Sequence, residues 1–151
     1  MPVRENIQKE YEAIGSANQT AELDLVVPFT TPELTRVAVD AANRMGAGLN
    51  ATLRLVKVQV VPYPMDLYQS PVHIDFLKSQ LARIPSELPV ASEIRLAREL
   101  EAGLLDTLTS NSVVILAARK RLWRTRSEHL AASLRRAGHK VVLVNQEAKN
   151  A

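Results

Sequence analysis

Ser112-Val113-Val114-Ile115-Leu116-Ala117 is a run of six residues without a charge, three of them β-branched in succession. A half-exposed strand alternates apolar and polar residues. An unbroken run instead predicts a strand buried on both faces, as in a parallel sheet covered by helices on each side. The next segment supplies such a cover. Thr125 and Glu128 stand at capping-box spacing, in which the hydroxyl accepts from a first-turn amide and the carboxylate reaches back to the cap amide. Leu130, Leu134 and Ala137 then share a helical face, and Gly138 provides the left-handed stop. Lys140-Val141-Val142-Leu143-Val144 completes a strand, helix, strand unit. Parallel neighbours require such a crossover, which is nearly always right-handed.

The same order runs back through the chain. Leu23 to Val27 is a continuously apolar strand ending at Pro28. Thr31-Pro32-Glu33 opens a helix, with Thr as N-cap and Pro in the first helical position, where a missing N–H costs nothing. Leu34, Val37, Ala38, Ala41 and Met45 are expected on its inner face, with Gly46 and Gly48 at its end. From Ala51 to Val61 a longer strand changes its alternation midway, through a bulge or through burial on both faces, and Pro62 and Pro64 stop it. Ser70-Pro71 repeats the cap-and-proline start for a helix carrying Ile74, Leu77, Leu81 and Ile84. Val90 to Ala97 is more polar, as an edge strand is. Glu99 to Leu108 reads as a helix with Leu100, Leu104, Leu105 and Leu108 inward and Gly103 a defect of about 1 kcal/mol.

Regular alternation with short connections predicts one domain over residues 21–146, a three-layer αβα sandwich on a five-stranded parallel sheet. Residues 1–20 form an extension in which Val3, Ile7, Tyr11 and Ile14 fall at helical spacing. It is a short docking helix or, since isolated helices of this length are marginal, a partly ordered tail. Residues 147–151 are a tail. At 151 residues the chain can remove roughly 70% of its unfolded surface from water. With no cysteine, disulfides, thiolate metal sites and cysteine nucleophiles are excluded. No apolar run approaches the ~20 residues that span a bilayer, and MPVRENIQKEYEAIG has no apolar signal core, so a cytoplasmic location is expected.

Charge is unevenly placed. Arg119, Lys120, Arg121, Arg124 and Arg126 put five cations in eight residues with no acid among them. Of 19 Lys and Arg against 16 Asp and Glu, removing these five leaves 14 against 16, so the net +3 resides in one loop. That loop follows a strand, and open α/β sheets bind ligands at the carboxyl ends of their strands. Bidentate arginines and the free amides near Thr125 could hold an anion there; the alternative is a solvated loop. Trp123 within it packs over the sheet end or into a subunit contact, or stacks on a base.

Other chemistries lack their residues. A phospho-receiver needs acids at the carboxyl end of the first strand, where this chain has Val26-Val27-Pro28-Phe29-Thr30, with Asp24 inside or before the strand. A dinucleotide or P-loop site needs glycines in the first turn, and Phe29-Thr30-Thr31-Pro32 has none. His73, His129 and His139 are far apart and lack ligand spacing, which makes them surface residues rather than a metal site. His73, Asp75 and Ser70 are too close in sequence to form a triad on a helix. No catalytic residue and no metal ligand is therefore assigned. Tyr63, Met65 and Tyr68 could form a lid over the strand ends or simply pack the loop.

From Glu22 to Asn145 the chain resembles the universal stress protein family, in its LVVPFTTPE strand-turn-helix, its ATLRLVKVQVVP second strand, its IRLARELEAGLLDTL unit, and NSVVILAARKR closed by HKVVLV. The resemblance implies a strand order of 3-2-1-4-5 and a homodimer joined along the last strand, through Val141, Val142, Leu143 and Val144. An unprotected apolar edge suits such pairing. Nucleotide-binding members of the family place an Asp after the first strand's proline, where this chain has Thr30 beside Phe29. They also carry glycines that wrap a triphosphate, at positions matched here by Ala117, Lys120 and the neighbourhood of Glu128 and His129, in a loop shorter by about two residues. A β-carbon at a glycine position obstructs close approach of backbone to phosphate and disfavours positive φ.

The resemblance therefore points to the branch without the glycine signature: a dimeric, non-catalytic binding or regulatory module with no cofactor, not taking ATP in the family manner. Two alternatives remain. One is a nucleotide or phosphate binder using the basic loop 119–126. The other is an accessory regulatory domain of a larger assembly such as a transporter, contacting a protein partner. Nucleic acid and membrane are not expected partners.

Overall fold

The computed structural model describes residues 22–67, 74–119 and 125–146. The expectations for residues 1–20, Tyr68, Ser70-Pro71, His73, the 120–124 segment and the 147–151 tail lie outside the described residues. Within the described residues the elements are β1 (Leu23–Pro28), α1 (Pro32–Gly46), β2 (Ala51–Val60), α2 (Ile74–Ala82), β3 (Val90–Ala97), α3 (Leu100–Leu105), β4 (Ser112–Arg119), α4 (Arg126–Arg136) and β5 (Lys140–Gln146). The five strands form one parallel sheet in the order β3-β2-β1-β4-β5.

Continuous apolar runs become the strands covered on both faces. Leu25, Val26 and Val27 of β1 are all fully buried, with Leu25 and Val27 in the core beneath α1 and α2 and Val26 in the core beneath α3 and α4. The mid-strand phase change in β2 has the same origin. Leu55 faces the first core and Val56 the second, and both are buried. The register with β1 and β3 runs one-to-one through this point, so no bulge is needed. At the sheet's edges, β3 and β5 are only half-buried at best.

The caps form as the side chains dictate. The Thr31 hydroxyl accepts from the Leu34 amide at 3.2 Å, and the Thr125 hydroxyl from the Glu128 amide at 3.3 Å. Gly138 takes φ +92 just after α4. Three packing expectations are corrected. In α1 the inner face is turned toward Thr35, Ala38, Val39, Ala41 and Ala42, and Met45 is 37% exposed. In α4 Ala131 takes the inner position with Leu130 and Leu134, while Ala137 is an exposed C-cap. The third helix is shorter than expected and leaves Leu100 exposed. Gly103 there is a close-packing contact: a β-carbon would lie 2.6 Å from Val58 Cγ1 and 2.9 Å from Ala97 Cβ.

The amino end of the sheet is polar on the α3/α4 face. Asp24 of β1 accepts from Arg54 of β2 through two contacts, Nε to Oδ1 at 2.9 Å and Nη2 to Oδ2 at 2.8 Å. Ser112 Oγ of β4 donates to the same carboxylate at 2.6 Å, and Arg54 Nη1 reaches Glu93 of β3 at 3.3 Å. Four strands are thus tied by one partly buried network. Burial by itself would raise the Asp24 carboxyl, but hydrogen bonds from Arg54 and Ser112, with the guanidinium charge, hold it below its ordinary 3.8. The same bond to Asp24 raises Arg54. The acid sits at the wrong end of β1 for metal-dependent phosphotransfer.

Candidate functional site

β1 is the middle strand, and the chain leaves it toward α1 on one face while β4 beside it leads to α4 on the other. The two departing connections separate, as at the ligand crevices of open α/β sheets. A cleft of about 720 Å³ opens at this point.

Three loops or strand ends build it. Pro28, Phe29, Thr30 and Thr31 come from the turn after β1, together with Leu34 of α1; Lys57, Val58, Gln59 and Val60 form the carboxyl end of β2. Arg119 ends β4, Thr125, Arg126, Ser127 and Leu130 belong to the start of α4, and Leu100 stands on α3. Phe29, Val58 and Leu130 are buried apolar floor, while Val60 and Leu100 are exposed apolar rim. Among the described residues the lining therefore holds three cations, four hydroxyl side chains and no carboxylate.

Individual contacts limit what each group can do. The Thr30 amide donates to the buried Thr35 hydroxyl at 3.1 Å, which already occupies it. Arg119 Nη2 donates to Glu33 Oε2 at 2.6 Å, bridging the end of β4 to the first turn of α1. Both side chains are well exposed, 47% and 66%, so this pair is worth only about 0–1 kcal/mol and an incoming anion can compete for the arginine. Lys57 Nζ lies 5.5 Å from the centre of the Phe29 ring. Burial lowers its pKa from the usual 10.5.

Of the residues singled out from sequence, Phe29, Thr30, Arg119, Thr125 and Arg126 meet in this cleft. Ala117 does not line it; it is buried at 2% exposure within β4. Lys120, Arg121 and Arg124 lie outside the described residues. Lys57, Gln59, Leu100 and Ser127 were missed. The available signal was that Lys57 and Gln59 occupy the last turns of the alternation in β2, at the ligand-binding end of a sheet.

The loop after β2 is fastened beside the cleft by Arg98. Its Nη1 donates to the Val61 carbonyl at 3.1 Å and the Met65 carbonyl at 2.6 Å, and the guanidinium stands 4.0 Å from the Tyr63 ring centre. Tyr63 is 78% exposed and covers Arg98, while neither Tyr63 nor Met65 lines the cleft. Among the described residues no three His, Cys, Asp or Glu side chains converge as metal ligands, and no helix is long and apolar enough to cross a membrane.

Val141 and Leu143 of β5 pack toward the α3/α4 core and Val142 and Val144 toward the other, each half-buried at the sheet's edge. Comparison with protein-family models finds no match, and comparison with curated proteins finds no similar sequence.

Proposed function

We propose that the chain is a non-catalytic binding module of the universal-stress-protein type, whose cleft holds an anionic small molecule through side-chain cations in place of glycine amides. One observation carries this: Lys57, Arg119 and Arg126 share a half-apolar cleft with no carboxylate among the described residues of its wall. A cleft so lined favours a ligand with a charged end and a flat or aliphatic body, because cations offset the anion's desolvation while the apolar floor takes the remainder. A nucleotide has that form. Thr30, Ala117 and Lys120 stand where the family's Asp and glycines would be, so recognition here rests on arginine and lysine.

The test is calorimetric titration of the purified protein with ATP and Mg²⁺, and separately with pyrophosphate, at low and high salt. Binding near micromolar, about −8 kcal/mol, that weakens with salt is expected. An Arg119→Ala/Arg126→Ala double variant should lose at least about tenfold, or 1.4 kcal/mol. Unchanged affinity in that variant, or no binding of either anion, would overturn the assignment. The same type of module is a homodimer joined along β5, whose apolar residues are only partly covered by their own chain.

A further inference from the structure

Lysine heads ordinarily stand in water on flexible stems. Among the described residues Lys78 and Lys140 follow that habit and are exposed, whereas Lys57 is half-buried. Its backbone is fixed in β2, pairing with Ile94 of β3 one residue beyond the last pair with β1, Pro28 with Val56, so the amine is delivered from a rigid element. Its head is set against the Phe29 ring, in a cleft whose described lining has no carboxylate. Among the described residues no acid lies within ion-pair distance of it.

These features ease loss of the ammonium proton relative to an exposed lysine. Burial penalises the ammonium and lowers its pKa. The Phe29 ring, 5.5 Å away, opposes that through cation–π attraction. Arg119 and Arg126 in the same cleft add no negative charge that would restore the proton. Partial desolvation without a carboxylate partner moves a lysine toward the environment in which an amine becomes a nucleophile toward carbonyl carbon.

We propose that Lys57 is a covalent attachment site, its amine condensing with an aldehyde that carries an anionic group held by Arg119 and Arg126. This deepens the anion-cleft assignment above and rests on it. The nitrogen lone pair adds to the carbonyl carbon, a proton passes from nitrogen to the former carbonyl oxygen, and the carbinolamine loses one water to give the C=N bond. Nothing is oxidised or reduced, and the adduct reverses by hydrolysis. The cations raise the local concentration of the aldehyde, and the fixed strand points the amine at it.

The experiment uses the full chain with pyridoxal 5′-phosphate as the anionic aldehyde and pyridoxal as its counterpart without phosphate. Adducts are trapped with borohydride and located by peptide mass spectrometry over a time course. Lys57 should label at least ten times faster than Lys78 or Lys140 with the phosphorylated aldehyde, and several times faster than with pyridoxal. Arg119→Ala/Arg126→Ala should slow the Lys57 adduct about tenfold and leave the Lys78 rate unchanged. Lys57→Arg should abolish the fast adduct while pyrophosphate titration still shows binding, which confirms a folded cleft.

Lys57 labelling no faster than Lys78 while pyrophosphate binds would overturn the covalent site and leave the anion cleft standing. Fast labelling of Lys57 by both aldehydes, at the same rate in the double arginine variant, would also overturn the proposal, because the cations would then play no part.

Discussion

Asp24→Ala tests whether the polar network at the amino end of the sheet stabilises the domain or merely occupies it. The carboxylate accepts three hydrogen bonds, two from Arg54 and one from Ser112, at 2.6 to 2.9 Å. Hydrogen bonds involving a charged group are worth about 1.5–3 kcal/mol each. Their sum is not lost in full, since the Asp24 side chain keeps 20% exposure and Arg54 retains Glu93 at 3.3 Å. Breaking a buried ion pair costs about 3–5 kcal/mol, and the residual access to water places this one near the lower end, about 3 kcal/mol. At roughly 2–4 °C per kcal/mol for a domain of this size, Tm should fall by about 6–12 °C. Urea and thermal unfolding of Asp24→Ala, Arg54→Met and the double variant give the coupling, which should exceed about 1 kcal/mol. The pH dependence has a definite sign. A carboxylate held below 3.8 contributes its full stabilisation above that pH and loses it as pH falls through the lower folded value. The gap between wild type and Asp24→Ala should therefore be constant near neutrality and close in acid. A loss below about 0.5 kcal/mol, the level of an exposed pair, or strictly additive single variants, would refute the reasoning.

Gly103→Ala should destabilise by about 1–3 kcal/mol despite alanine's better helix propensity, because the new carbon meets Val58 and Ala97; Val58→Ala in the same chain should recover part of the loss in urea unfolding. Arg98→Ala should release residues 61–66 and raise their amide exchange and proteolytic cleavage, with global stability changing by about 1 kcal/mol; unchanged exchange would show that the clamp at Val61 and Met65 is not what holds the loop. Val142→Pro removes a backbone donor from the β5 edge strand, and light scattering should report half the mass of the unaltered protein. An unaltered mass with native circular dichroism would count against pairing along β5.

The elements were legible because a strand buried on two faces leaves a contiguous apolar run, as in Leu25 to Val27 and Val113 to Ala118, and because caps act locally, as at Thr31, Thr125 and Gly138. Features that depend on two distant segments were not. Gly103 resembles a helix defect until Val58 and Ala97 arrive from two strands beneath it. Asp24 and Arg54 each look like an interruption in an apolar strand, and only the sheet register pairs Asp24 with Ser112 and puts Arg54, two residues beyond Asp24's partner Thr52, within reach on the same face. In the cleft, the turn after β1 and the start of α4 announced themselves by proline, threonine and clustered arginine. Lys57 and Gln59 offered only their position at the carboxyl end of β2, because a strand's last residues carry no local mark distinguishing a ligand-facing side chain from a solvated one.

The middle position of β1 also bears on how the chain is made. Its neighbour β2 follows within a few tens of residues, but β4, its partner on the other side, ends about 60 residues after β2. At roughly 5–20 residues per second, a nascent chain waits on the order of 3–12 s with β1 paired along one edge only. That open edge is built from Leu25, Val26 and Val27, each fully buried in the finished sheet, and unpaired apolar edges are templates for wrong pairing. Ser112, which opens β4 and donates to Asp24, stands where β4 first meets β1, so the contact that ends this exposure is also the one that ties the polar network shut.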